Sequence, residues 1–282
     1  MALAREHWYF LCGVLLVLIP LIAFVAIKKL RLLEVRPAEK IVYAHSGKQA
    51  LSLHAFPAQD VGNTPAPALL FFHGGGWLYG GPEDLYTQCQ FFSARGFTCF
   101  SAQYHLGANN RPDVREAVTN ARAALDYLIA HATELHIDPN RITVGGGSAG
   151  GQLAAALGSG LPLTSGAKSS GARRPAAQIL YNPVLDLSPG TPNHHLVKEY
   201  WEEVSPYHHI DGATPHSLIL VGKQDLEVPV TTAQAFCAAV LEAGGHCELA
   251  LYEGQGHGFF HTREYREKTN TRILEFLIAR PG

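Results

Sequence analysis

Four short runs of this chain carry residue types that could together perform acyl transfer. The first is Gly145-Gly146-Gly147-Ser148-Ala149-Gly150-Gly151, between the strand-like RITV and the helical GQLAAAL. Ser148 therefore falls on a strand-to-helix turn. Gly146-x-Ser148-x-Gly150 is the pattern of a nucleophile elbow, where small neighbours let the backbone turn sharply and expose the hydroxyl beside a helix N-terminus. The run also satisfies a dinucleotide fingerprint, Gly145-x-Gly147-x-x-Gly150. That use requires an acidic residue about 20 positions on to hold a ribose, and residues 160–177 contain neither Asp nor Glu.

The second run is His73-Gly74-Gly75-Gly76-Trp77, directly after ALLFF. Consecutive glycines past a strand end expose backbone amides that can converge on an oxyanion. Gly75 and Gly76 are the candidate donors, with the Ala149 amide as the third. The third and fourth runs, SLILVGKQD and CELALYEGQGHGFF, place Asp225 and His257 just past two further strands. Ser148, Asp225, His257 is the order in which this chemistry is carried on an α/β sheet. The imidazole would take the serine proton, and the carboxylate would hold its tautomer and its charged form. Asp186 and Glu227 are rival acids; Asp225 is preferred for its place at a strand end, some 30 residues ahead of the histidine. His194-His195 and His208-His209 invite a metal reading. Adjacent pairs define no helical face, HExxH is absent and no acidic cluster accompanies them, so no metal is expected.

These residues need strands to position them. Candidate strands are residues 41–45, 51–56, 68–73, 97–104, 141–146, 177–182, 217–222 and 247–253. From the third onward they are short apolar runs, the form of strands buried on both faces of a parallel sheet. The first two alternate more and suit an antiparallel edge. Helical periodicity occupies 121–135, with Ala124, Leu125, Leu128 and Ile129 on one face, then 231–243 and 263–279. The whole reads as an α/β fold with a mainly parallel sheet. Residues 188–209, with Tyr200, Trp201 and Tyr207, form a small cap or ordinary packing, and the low-complexity run 160–175 reads as a loop. Cys89 and Cys99 lie ten positions apart, as do Cys237 and Cys247. The pairs could form disulfides, which implies an oxidising compartment; small buried hydrophobes are the stronger reading.

The 282 residues are 47% hydrophobic and 16% charged, with a formal net charge of −2. Disorder is excluded by that balance, and no basic field for nucleic acid exists. Residues 8–27 hold no ionisable side chain, enough to span a bilayer core. The domain expectation is a membrane anchor over 1–30 as a single transmembrane helix, or an uncleaved signal segment, then a linker over 31–40 and a catalytic domain over 41–282. Lys28, Lys29, Arg31 and Arg36 favour a cytoplasmic body and a cysteine pairing the opposite side.

HGGGW, GGSAGG, GKQDLEVP and GQGHGFF together resemble the α/β-hydrolase superfamily, in the HGGG-bearing group akin to hormone-sensitive lipase and bacterial acetyl and feruloyl esterases. The resemblance covers about residues 41–280. It implies an eight-stranded sheet with helices on both faces, and cofactor-free hydrolysis of small-molecule acyl esters through an acyl-serine. Two motifs depart from many members: Gly147 precedes the serine where GDSAGG is common, and Gln103-Tyr104-His105 replaces DYR. The GGSAGG form, with YNPVLDLS, looks closer to carbohydrate-ester deacylases. An amidase, formamidase or exopeptidase with the same triad is the alternative, and a non-catalytic binding protein on this fold the further one.

Overall fold

The computed structural model describes residues 35–159, 161 and 173–279. All eight strand-like runs become strands: β1 (Glu39–Ser46), β2 (Gln49–Phe56), β3 (Ala66–Phe72), β4 (Thr98–Ala102), β5 (Ile137–Gly147), β6 (Ala177–Tyr181), β7 (His216–Gly222) and β8 (Cys247–Tyr252). They form one sheet in the order β1-β2-β4-β3-β5-β6-β7-β8. The two alternating runs make the antiparallel edge, β1 on β2 and β2 on β4. Every pairing from β4 to β8 is parallel. In β3 the run ALLFF is buried along its whole length, because helices cover both faces. β1 begins inside the segment read as a linker over 31–40.

Helices α1 (Tyr86–Ser93), α2 (Val114–Ala130), α3 (Ala149–Gly158), α4 (His194–Val197), α5 (Val230–Glu242) and α6 (Arg263–Ala279) complete the fold. One face of the sheet, with Leu70, Phe72, Val144, Leu180 and Ile219, shares a core with α2, α3 and α5. On the other face α1 and α6 pack together, and Phe92 of α1 meets Phe71 of β3. α2 starts seven residues before its predicted N-terminus because Asp113 caps it, accepting the Glu116 amide at 3.0 Å. Its predicted apolar face holds: Ala124, Leu125 and Leu128 are buried.

Two expectations are corrected. The cysteine pairs are not merely small buried hydrophobes, since Cys89–Cys99 and Cys237–Cys247 are disulfides. Each helix folds back onto the strand it feeds, α1 onto β4 and α5 onto β8. That return brings the Cα atoms to 5.1 and 5.3 Å, within bridging range. The reading of a membrane-anchored protein does not stand either. No helix among the described residues is long and apolar enough to cross a membrane; the anchor assigned to 1–30, with its span at 8–27, lies outside them, as does most of the 160–175 loop. Within the described residues, low charge reflects strands covered on both faces.

A buried polar chain fastens the antiparallel edge. Tyr86 donates its hydroxyl hydrogen to His54 Nδ1, and His54 Nε2 donates to Ser52 Oγ at 3.0 Å. Ser52 in turn donates to Gln103 Oε1 at 2.6 Å, giving the Gln103 of the unusual Gln-Tyr-His run a structural task. With Nε2 protonated and Tyr86 donating, a neutral imidazole satisfies every partner in the set. Burial pulls His54 down from 6.5 to about 4, with Lys40 adding to the effect and Glu83 opposing it.

The depressed His54 value means that its stabilising contribution is fully present above pH 6.5 and is lost as pH falls through about 4. His54→Gln is expected to flatten the decline in unfolding free energy over that window, measured by urea unfolding; an unchanged pH slope contradicts this. Replacing Cys89 and Cys99 together with alanine frees a loop whose closure is worth about 2–3 kcal/mol. Calorimetry should show Tm lower by roughly 5–10 °C, and an unaltered Tm would show that the bridge does not constrain the unfolded chain.

Candidate active site

Parallel register brings the ends of β3, β5, β6, β7 and β8 to a single edge of the sheet. The serine turn is the tightest feature there. Ser148 sits between β5 and α3 with φ 55° and ψ −116°, a region that costs a non-glycine residue about 1–3 kcal/mol. It is held by its own amide, which donates to the Tyr181 carbonyl at 2.9 Å, and by its carbonyl, which accepts from Gln152 at 3.0 Å. Glycine is required on both sides: a Cβ on Gly146 or Gly150 would run into the Phe72 carbonyl at the end of β3.

The loop after β3 is fixed from three directions. Tyr104 donates its hydroxyl to the His73 carbonyl at 2.9 Å and stacks on the His73 ring. Trp77 Nε1 donates to Gln152 Oε1 at 3.1 Å, and Gln152 Nε2 donates to the Val204 carbonyl at 2.8 Å. The loop is thereby tied to α3 and to the segment 188–209. Gly75 has φ +109°, and a Cβ there would strike the Tyr79 carbonyl. The amides of Gly75, Gly76 and Ala149 donate to no protein group among the described residues, which leaves them available to an anion.

His257 follows β8, and its Nδ1 lies 2.8 Å from Asp225 Oδ2. The Asp225 side chain is fully buried and that of His257 is 15% exposed. Asp225 Oδ1 accepts the amides of Glu227 and Val228, each at 2.9 Å. Burial pushes this carboxyl up, but the hydrogen bond from His257 and those two amides outweigh it and hold it below the ordinary carboxylate range. Asp225 thus stays ionised under its imidazole, which keeps Nε2 as the nitrogen facing outward.

Ser148, His257, Gly75 and Gly76 line one cavity of about 480 Å³, with Leu78, Tyr79, Asp84, Asn182, Leu196, Glu227, Phe260 and His261 among its other walls. The rival acids separate clearly. Asp186 lies away from His257, accepting the Ser188 amide at 2.9 Å with His208 at 3.9 Å. Glu227 reaches the opposite nitrogen, Oε2 standing 3.6 Å from His257 Nε2. From the cap segment Leu196 reaches the cavity, while Tyr200, Trp201 and Tyr207 pack against the core.

Sequence reasoning did not single out Asn182. It follows β6 at φ 32°, and its Nδ2 lies 3.3 Å from both ring nitrogens of His257. The signal was its place just past the end of a parallel strand, a feature Asp225 and His257 share a few residues further on. Gln152 went unnoticed, and Tyr104 was marked only as part of the Gln103-Tyr104-His105 run, because both act on loops rather than lining the cavity.

Comparison with known proteins agrees with this arrangement. A family described as the alpha/beta hydrolase fold matches residues 69–261. Esterase 2 of Thermogutta terrifontis, phosphoramylated by tabun, superposes with a TM-score of 0.80 at 34% identity, covering 87% of this chain and 95% of that one. The butyrate-bound form of that esterase gives a TM-score of 0.79 at 34% identity, covering 88% and 98%. Esterase LipC of Mycobacterium tuberculosis is 27% identical over 252 residues, 78% of this chain and 59% of that protein. The chain spans 47–59% of the length of the first curated relatives it matches. With the family match running from β3 to the turn after His257, and an eight-stranded sheet carrying both glycine loops at one edge, this chain belongs to the alpha/beta hydrolase fold family.

Proposed function

We propose that this protein hydrolyses carboxylic esters of short acyl chains through an acyl intermediate on Ser148. The observation that carries the reading is the single cavity lined by Ser148 and by His257, whose far nitrogen is held by buried Asp225. Ser148 Oγ attacks the ester carbonyl carbon while His257 Nε2 takes its proton. The oxygen becomes an oxyanion, received by the amides of Gly75, Gly76 and Ala149. Collapse expels the alcohol, which leaves with the proton from Nε2. Water, deprotonated by the same nitrogen, then attacks the acyl-serine, and the carboxylic acid departs as Ser148 regains its proton.

A cavity of about 480 Å³ must seat both acyl and alcohol parts, which favours short acyl groups, including acetyl groups on carbohydrates. The related esterase bound to butyrate supports the same size class.

Hydrolysis of nitrophenyl butyrate tests the assignment. Ser148→Ala should lower kcat/KM by at least about 10⁴-fold and Asp225→Asn by roughly 10²–10⁴-fold, with folding retained. Gly75→Ala should lower kcat by about 10²-fold through the displaced oxyanion loop, with a smaller change in KM. Full turnover in folded Ser148→Ala would remove the proposal, and a loss in Asp186→Asn but not Asp225→Asn would reassign the acid. Acetyl to butyryl esters should outrun octanoyl esters; faster cleavage of a matched anilide than of the ester would point to amide substrates.

A further inference from the structure

The walls of the Ser148 cavity carry charge of one sign. Asp84 and Glu227 line it, and no lysine or arginine does. Neither carboxyl is paired with a lysine or arginine among the described residues: Glu227 meets only His257, and Asp84 accepts only the Gly81 amide. The imidazoles of His261 and His73 do not offset them. Burial pushes His261, another wall residue, and His73 behind the glycine loop below the ordinary imidazole value, with Asp84 opposing the shift at both. Both rings are therefore neutral at neutral pH.

A third acceptor points the same way. Asn182 is 1% exposed and lines the same cavity, and its Oδ1 has no hydrogen-bond partner among the described residues. An orphaned buried oxygen costs free energy until a donor or a positive charge meets it. At the rim stands Tyr79, a largely exposed aromatic ring of the kind that attracts cations.

Position decides which part of a substrate meets this field. On the ester-hydrolase reading, the departing alcohol takes its proton from His257 Nε2, so its substituent must pass beside that nitrogen. Glu227 Oε2 stands 3.6 Å from it, with the side chain 72% exposed at the cavity mouth. We infer that the site selects esters by charge on the alcohol side, favouring positively charged alcohols and rejecting anionic ones, with Glu227 as the chief determinant and Asp84 as the second. This deepens the ester-hydrolase reading and rests on it.

The test compares three thioesters of butyrate with the full chain at low ionic strength: butyrylthiocholine, its uncharged neohexyl isostere, and the anionic ester of mercaptopropionate. Thiol release gives kcat/KM for each. The cationic ester should exceed the neutral isostere by about three- to tenfold, and the anionic ester should fall below it by a similar factor. Both ratios should move toward one in Glu227→Gln, further in Glu227→Gln with Asp84→Asn, and also on raising salt. Ratios are read within each variant, so a general loss of activity cancels. Turnover of all three esters at equal kcat/KM, or ratios that the variants leave unchanged, overturns this inference and leaves the ester-hydrolase reading standing. Absence of turnover on all three, or its persistence in Ser148→Ala, removes that reading and this inference with it.

Discussion

Everything at this edge depends on how closely β3 and the start of α3 approach each other. Gly146 and Gly150 let the serine turn press against the Phe72 and His73 carbonyls at distances no side chain would allow. That approach holds Ser148 at a positive φ and sets its turn beside the glycine loop that continues β3. The parallel register carries the constraint outward, since β6, β7 and β8 deliver Asn182, Asp225 and His257 to the same edge. Alanine at either glycine would separate the two loops. Neighbours that touch no substrate then lock the loop after β3 in place: Tyr104 through the His73 carbonyl, and Trp77 through Gln152.

Electrostatics divide the site into a dry side and a wet side. Asp225 is buried, ionised and satisfied by an imidazole and two amides, so its charge is committed to orienting His257. Glu227, two residues later, lies in solvent on the opposite nitrogen. Two carboxyls so near in sequence are suited to different tasks because burial separates them. The first fixes a tautomer, and the second contributes field to the mouth of the cavity.

The strands were legible because a parallel sheet covered on both faces demands short continuous apolar runs; the six runs read that way became strands, and the two alternating runs became the antiparallel edge. The positions of Ser148, Asp225 and His257 at strand ends followed from the same pattern. Asn182 escaped because its type and spacing match no chemical motif; its position is meaningful only once β6 is known to lie beside β5 and β7. The cysteine pairs were misjudged since ten-residue spacing does not reveal that a helix folds back on the strand it feeds. Helix α1 has little apolar periodicity, YTQCQFFS burying Gln88 and Ser93 alongside Cys89 and Phe92. The membrane span was read from the uncharged run 8–27, which lies outside the described residues, and within them low charge reflects a sheet covered by helices on both faces.

The central claim, that the hydroxyl of Ser148 is the activated nucleophile of this edge, is tested most directly by covalent capture. Treating the folded protein with a fluorophosphonate and mapping the adduct by mass spectrometry should place one phosphonyl group on Ser148. Labelling should fall steeply when His257 is replaced by alanine and vanish when the protein is unfolded before exposure. An adduct on another residue, or no adduct on the folded protein, would contradict it.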